Sequence, residues 1–257
     1  MTTNHSLCLR VPRLNRLAAL GALLLLANII PTARAEWVLS AFTGVSSAEN
    51  NDLHVREPGG TDLTFHNVSY ETHDFDSPQY YGGRLAYFLP QEPNLGFGLE
   101  FFHSKIYLNT GESVRVTGTR SGAPVNDVEP VSNTIQEFSL SHGLNFLTAD
   151  AMYRFFLGQR DTNFLGRFQP YLGGGIGVAI PHVESTLAGS PHFEQYQLHG
   201  PAFQALAGIN FDITKNIGVF TEYKFTYVNL NELDVTGGSY GVAPMTHHLI
   251  FGVSCRF

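Results

Sequence analysis

The sequence predicts an all-β fold: an eight-stranded antiparallel up-and-down transmembrane β-barrel with long extracellular loops and short periplasmic turns. Three observations carry that expectation. Apolar and polar residues alternate with period two in eight strand-length runs. Long and short connections alternate along the chain. The composition is rich in Gly (26), Phe (20) and Tyr (11), yet only 14% of residues are charged. A typical soluble domain is about a quarter charged. Few charges with much Gly and many aromatics argue against a helical bundle, a coiled coil and a disordered chain. A net charge of −7 lacks the basic face that a nucleic-acid binder would show.

Residues 1–35 read as a cleaved signal peptide. Arg10, Arg13 and Arg16 make a basic start, and residues 17–30 are an apolar stretch too short for an ordinary spanning helix. Ala33-Arg34-Ala35 then gives a small-x-small cleavage pattern. Residues 36–257 are the expected barrel. Cleavage would remove four arginines and no acid, leaving 11 basic and 22 acidic residues and a net charge of −11. It would also remove Cys8, so that Cys255 has no partner for an internal disulfide.

The strands follow in order. Residues 37–46 form a less regular first run. Tyr81, Leu85 and Tyr87 alternate with Gly82 and Arg84. Leu95, Phe97, Leu99 and Phe101 alternate with Gly96, Gly98 and Glu100. Leu147, Ala149, Ala151, Tyr153 and Phe155 alternate with Thr148, Asp150 and Arg154. Residues 168–180 make a Gly-rich fifth run. Phe203, Ala205, Ala207, Ile209 and Phe211 alternate with Gln204, Gly208 and Asn210. Val219, Tyr223, Phe225 and Tyr227 alternate with Glu222, Lys224 and Thr226. In the last run Leu249, Phe251, Val253, Cys255 and Phe257 face one way, and His248, Ser254 and Arg256 the other, with Ile250 an exception.

A soluble sandwich also alternates, so the connections decide. Long ones fall near 48–78, 107–137, 181–199 and 230–245. Short ones fall at 90–94, about 158–167, and 214–216. This is the asymmetry of an outer-membrane barrel, with both termini on the short-turn side. Tyr, Phe and Trp37 cluster near strand ends, as an interfacial girdle requires. Lipid cannot satisfy backbone N–H and C=O groups, so the strands must close into a ring. Eight strands leave an interior filled by side chains. Arg84, Glu100, Asp150, Arg154, Glu222, Lys224 and Arg256 share the inward parity. They suit a structural ion-pair network, or else a proton relay or substrate-binding charge set.

Over residues 36–257 the pattern resembles the small outer-membrane barrels of Gram-negative bacteria. The terminal Cys255-Arg256-Phe257 looks like their C-terminal assembly signal, which implies the barrel-assembly machinery as a partner during biogenesis. The ten histidines beyond the leader lie in the long loops or at the strand ends that meet them. His103 and His142 flank the second long loop, and His182 and His199 the third. His248 points inward from the last strand. It lies roughly 20–25 Å above the periplasmic end, near the outer leaflet. Neutral imidazoles there could bind a divalent transition metal, although no HExxH-like spacing occurs. They could equally be polar filler or bind lipopolysaccharide phosphates.

A closer resemblance is carried by several segments. These are Tyr81-Gly82-Gly83-Arg84-Leu85, Gly96-Phe97-Gly98-Leu99-Glu100-Phe101 and Ser139-Leu140-Ser141-His142-Gly143-Leu144-Asn145. Pro170-Tyr171-Leu172-Gly173-Gly174-Gly175 through Pro181-His182-Val183-Glu184 continue it, with Glu222-Tyr223-Lys224-Phe225 and Thr246-His247-His248-Leu249. They resemble the rhizobial lipid A oxidase family. That resemblance implies oxidation of the proximal glucosamine of lipid A to 2-aminogluconate, with molecular oxygen as oxidant. Side chains alone do not readily remove two electrons from a sugar C1, so a cofactor is expected. A filled lumen leaves little room for a flavin. The expected metal ligands are drawn from His103, His142, His182, His199 and His248. Glu184 or Glu222 would serve as base or as a partner of a ligand. Lipid A and lipopolysaccharide are the expected partners.

Two other enzyme classes fit less well. A lipid A deacylase needs a Ser–His–acid set, and Ser141 and His142 are adjacent, so they point to opposite faces if that segment is extended. The Gly173–Gly177 run has no following Lys-Ser/Thr or helix, so it fits a tight, twisted strand better than a phosphate loop. The non-enzymatic alternative is a structural, adhesive or ion- and lipopolysaccharide-binding surface barrel. Convergence of the upper histidines on one site with an acid nearby discriminates between the two.

Overall fold

The computed structural model describes residues 36–158 and 163–257. The expected signal peptide, 1–35, lies outside the described residues, as does 159–162 of the second short connection.

Eight long strands form the barrel: β1 (Glu36–Ala48), β2 (Tyr81–Phe88), β3 (Leu95–Ser104), β4 (Leu144–Arg154), β5 (Phe168–Leu187), β6 (His199–Asp212), β7 (Ile217–Val228) and β8 (Met245–Arg256). Each pairs antiparallel with the next. The ring closes where β1 meets β8, with Val38 opposite Arg256 and Val45 opposite Leu249. Closure leaves the barrel no unpaired edge, the condition lipid imposes.

The alternation sets which face is which. Leu39, Phe97, Leu99, Leu172, Ile176, Phe251 and Val253 stand exposed on the outside, Leu99 at 61%. Arg84, Glu100, Glu222 and Lys224 lie inside, Lys224 at 0%. An apolar outside over a charged inside inverts a soluble protein and suits a bilayer. Ile250, the exception to the polar face of its strand, is buried in an apolar layer at the barrel mouth with Phe102 and Phe146. In β5, Gly175 makes room for a lumen acid: a Cβ there would lie 1.9 Å from Asp150 Oδ1.

The long connections differ from the expected loops. They fold into strands. Asn51–Glu57, Thr61–Val68, Ser113–Arg120, Ala123–Pro130, Leu230–Val235 and Gly238–Val242 make a six-stranded antiparallel sheet above the barrel. Its hairpins turn at Gly59 and Gly60 (φ +88° and +90°) and at Ser121 and Gly122 (φ +51° and +78°), the left-handed region that tight hairpins need. Leu53, Val55, Leu63, Phe65, Val116, Leu233 and Tyr240 are buried. They join Phe102, Phe146 and Ile250 in one continuous core. Burying that much apolar surface is what orders these segments. The cap closes the mouth of the barrel. Shorter strands, Tyr70–Glu71, Tyr107–Leu108, Ile135–Ser139 and Phe193–Tyr196, extend the wall beside the upper half of β5.

Candidate functional site at the outer rim

The lumen is built from ion pairs in two layers. In the upper one, Arg84 binds Glu100 and, at 2.8 Å, Glu222. Lys224 pairs with Glu100 and lies 3.6 Å from Glu222. The Tyr171 hydroxyl donates to Glu222 at 2.8 Å, and Gln204 donates to Asp150 at 2.6 Å. In the lower layer Arg154 donates to Glu36 at 2.6 Å while its guanidinium lies 3.7 Å over the Phe88 ring. Arg256 binds Asp212 and, at 2.8 Å, Gln169. The seven charges of inward parity are all buried here, joined by Glu36 and Asp212. A cavity of about 60 Å³ lies among Arg84, Tyr171, Arg154, Gln169 and Arg256, room for a few waters.

This arrangement places Glu222 in the lumen network, 1% exposed and bonded to Arg84 and Tyr171. His248 is also in the lumen. Its Nε2 lies 3.0 Å from both Thr226 Oγ1 and Thr246 Oγ1, and its ring rests against Tyr80 and Phe102. His199 sits at the start of β6, 3.4 Å from Gln197. His103 is buried on β3, its Nδ1 2.9 Å from Asn145 Oδ1 and its ring stacked on Tyr81. His103 borders Gly143, next to His142, but none of these three joins the cluster that the remaining two form.

His142 and His182 do meet, at the outer rim, with Glu184 and with Glu194. One donor atom from each lies within 4.8 Å of the others. The local fold explains the meeting. His182 and Glu184 are two apart on β5 and share a face. A hairpin turning at Gly189 (φ +83°) places Glu194 directly opposite Glu184, and Tyr196 opposite His182. The chain at 140–143 leaves extended geometry between Ile135–Ser139 and β4, which swings His142 onto the same face. The His142 Nδ1–Glu184 Oε1 distance is 2.6 Å. His182 Nδ1 is 3.4 Å from Glu184 Oε1, and His182 Nε2 is 3.3 Å from Glu194 Oε1. The two imidazoles meet edge to face at 5.0 Å, and the Tyr196 ring covers His182 at 4.3 Å.

Burial opposes ionisation of Glu184. Hydrogen bonds from Ser141 and His142, with the charges of His142 and His182, outweigh it and hold the carboxyl below its ordinary pKa. Because residues 140–143 turn, the Ser141 hydroxyl comes within 3.1 Å of His142 Nδ1, contrary to the expectation for an extended segment. Yet serine and acid share that one nitrogen. A hydrolytic triad needs them on opposite nitrogens, so the imidazole cannot relay a proton between them.

The face is the outer wall. Along β5 the even-numbered residues Leu172 and Ile176 face lipid, and Val183 and Leu187, of the other parity, enter the core. His182 follows Ile180 by two residues, about 5 Å higher along a tilted strand. The cluster therefore stands just above the apolar belt, at the level of lipid headgroups. Glu194 was not foreseen from the sequence. The Ala188-Gly189-Ser190 turn was its signal, since pairing outward from Gly189 sets Glu194 against Glu184.

A closed ring with an apolar outer belt and an ion-paired lumen is a transmembrane β-barrel of the outer-membrane type. No protein-family model matches the chain, and no curated protein matches it. Among solved structures it is similar to Neisserial surface protein A (NspA), with 14% identity, 87% of this chain and 99% of that one covered, and a TM-score of 0.41. It is likewise similar to AlkL, an outer membrane protein studied in lipid bilayers, with 15% identity, 87% and 90% covered, and a TM-score of 0.41. OprG from Pseudomonas aeruginosa gives 12% identity, 87% and 95% covered, and a TM-score of 0.40. The assignment to a membrane barrel rests on this chain's own closure and apolar belt.

Proposed function

We propose that this barrel is a lipid A oxidase-like enzyme that works on its outer wall rather than in its lumen. The observation behind the proposal is the position of His142, His182 and Glu184: together, facing outward, directly above a lipid-facing stripe. Lipid A presents its glucosamine sugars at that level. The substrate would be a lipid A whose proximal C1 is a free hemiacetal, so removal of the C1 phosphate must come first. Oxidation takes the C1–H and the hydroxyl proton, with two electrons, to O₂. The products are a lactone and hydrogen peroxide, and water opens the lactone to 2-aminogluconate. Glu184 and Glu194 place two carboxylates at the cluster, so that one of them is free to accept the hydroxyl proton. Tyr196 and Leu198, both exposed beside the cluster, offer apolar surface to the glycolipid.

Mass spectrometry of lipid A tests this. The protein is expressed in a Gram-negative host whose lipid A lacks the 1-phosphate, with and without oxygen. The proposal expects one added oxygen, only aerobically and only with the protein. Unchanged lipid A around a folded, outer-membrane barrel favours the second reading, a non-enzymatic surface barrel. One observation supports that reading. Glu71, Glu184 and Glu194 lie in one register row across Tyr107 and Ser139, with Asp76 joined to Glu71 through His73, a set of acids that cations could bridge to lipopolysaccharide phosphates.

A further inference from the structure

We infer that His142, His182, Glu184 and Glu194 form a binding site for a divalent transition metal on the outer wall of the barrel. Three independent features lead there. First, four donors from three separate segments converge within 4.8 Å. Second, His182 is 6% exposed, and its Nδ1 is buried without a hydrogen-bond partner, 3.4 Å from the Glu184 carboxylate. A buried ring nitrogen left unbonded costs free energy that a metal would recover. Third, Glu184 and Glu194 are paired directly across the strands. Among the described residues, no Lys or Arg forms an ion pair with either, and only the imidazoles of His142 and His182 stand against them. Like charges in that position destabilise a sheet unless a cation lies between them.

The donor set names the class of ion. Two imidazoles with carboxylates suit Fe(II), Mn(II), Co(II) or Zn(II), while Ca²⁺ and Mg²⁺ prefer all-oxygen sites. Two histidines and one carboxylate that leave positions open are the ligand set of oxygen-activating non-haem iron sites. Three surroundings position the ligands. The Tyr196 ring packs on His182, the Ser141 hydroxyl lies against His142, and the Tyr196 hydroxyl donates to the His142 carbonyl at 3.4 Å. His142 has a 56% exposed side chain, so the outer side of the site stays open to solvent or a lipid headgroup. The site stands whether or not the oxidase reading holds.

The test uses the tag-free chain, folded in detergent micelles, stripped with a chelator and titrated with Co(II) and Zn(II). Calorimetry reads affinity, and Co(II) absorption reads nitrogen ligation. The expected result is one ion per chain. His182→Ala and Glu194→Gln should each weaken binding by ~100-fold or more, since even partners outside the ligand shell are worth 10–100-fold. His247→Ala, at the rim but outside the cluster, should bind as wild type. His142→Ala removes an exposed ligand and keeps the test decisive should His182→Ala fail to fold. Absence of binding to the folded wild type would overturn the inference. So would wild-type affinity in folded His142→Ala and Glu194→Gln. Binding of one ion with unaltered lipid A would sustain the site and sink the oxidase.

Discussion

Glu184 and Glu194 face each other directly across two antiparallel strands on the outer wall of the barrel, with His142 and His182 against them. Opposed like charges cost a sheet roughly 0.2–1 kcal/mol. In metal-free protein, Glu194→Gln is therefore expected to raise the thermal midpoint slightly. With metal present the order reverses. Wild type gains about 2.7 kcal/mol at an ion concentration of 100 times Kd, and the variant loses most of that gain. Thermal unfolding in detergent with and without Co(II) checks both signs.

Lys224 is fully buried between Glu100 and Glu222, with its ammonium 4.2 Å from the Phe102 ring centroid. Lys224→Met leaves two buried carboxylates without that cation. Breaking a buried pair in this way costs ~3–5 kcal/mol. Urea unfolding of the barrel should show that loss, while metal affinity at the rim stays at the wild-type value. A parallel fall in metal affinity would mean the rim and lumen are coupled.

Phe65 is buried in the centre of the cap. Phe65→Ala should cost ~3–5 kcal/mol through the cavity it leaves. The loss falls on the cap, so proteolysis of intact cells is the readout. Wild type should resist cleavage in residues 49–80, and the variant should be cut there with its barrel strands protected. Equal sensitivity would mean the cap is not ordered by this core.

Gly175 lies against the Asp150 carboxylate inside the barrel. Gly175→Ala forces that acid out of its place, an overpacking cost of ~1–3 kcal/mol. The folded fraction recovered from the membrane should fall. Gly59→Ala is also strained by its positive φ, but meets no neighbouring atom. Its effect should be confined to the cap hairpin.

The barrel was legible because its signal is local and repeated. Period-two alternation sorted Leu249, Phe251 and Val253 from His248, Ser254 and Arg256 without knowledge of any partner strand. The same parity placed Arg84, Glu100, Glu222 and Lys224 in the lumen. The cap was not legible, although Leu53 and Val55, or Leu63 and Phe65, alternate too. Those runs are short and broken by turn residues. Three hairpins are local, but the pairings that join them into one sheet lie far along the chain: Thr61–Val68 pairs with Ser113–Arg120, and Asn51–Glu57 with Gly238–Val242. Pairing at such separation leaves no local trace. For the site, flanking positions pointed to His142 and His182, yet the same argument took in His103 and His199. What separates them is side-chain detail. Asn145 occupies His103, and the Gly189 hairpin brings Glu194 to His182.

The central claim is that the outward-facing rim cluster is where the chemistry happens. Its most direct test is the lipid A mass spectrum of aerobic cells carrying wild type, His142→Ala or His247→Ala, matched for folded barrel in the outer membrane. The account predicts one added oxygen with wild type and His247→Ala, and none with His142→Ala. Product retained in His142→Ala, or absent from wild type, would contradict it.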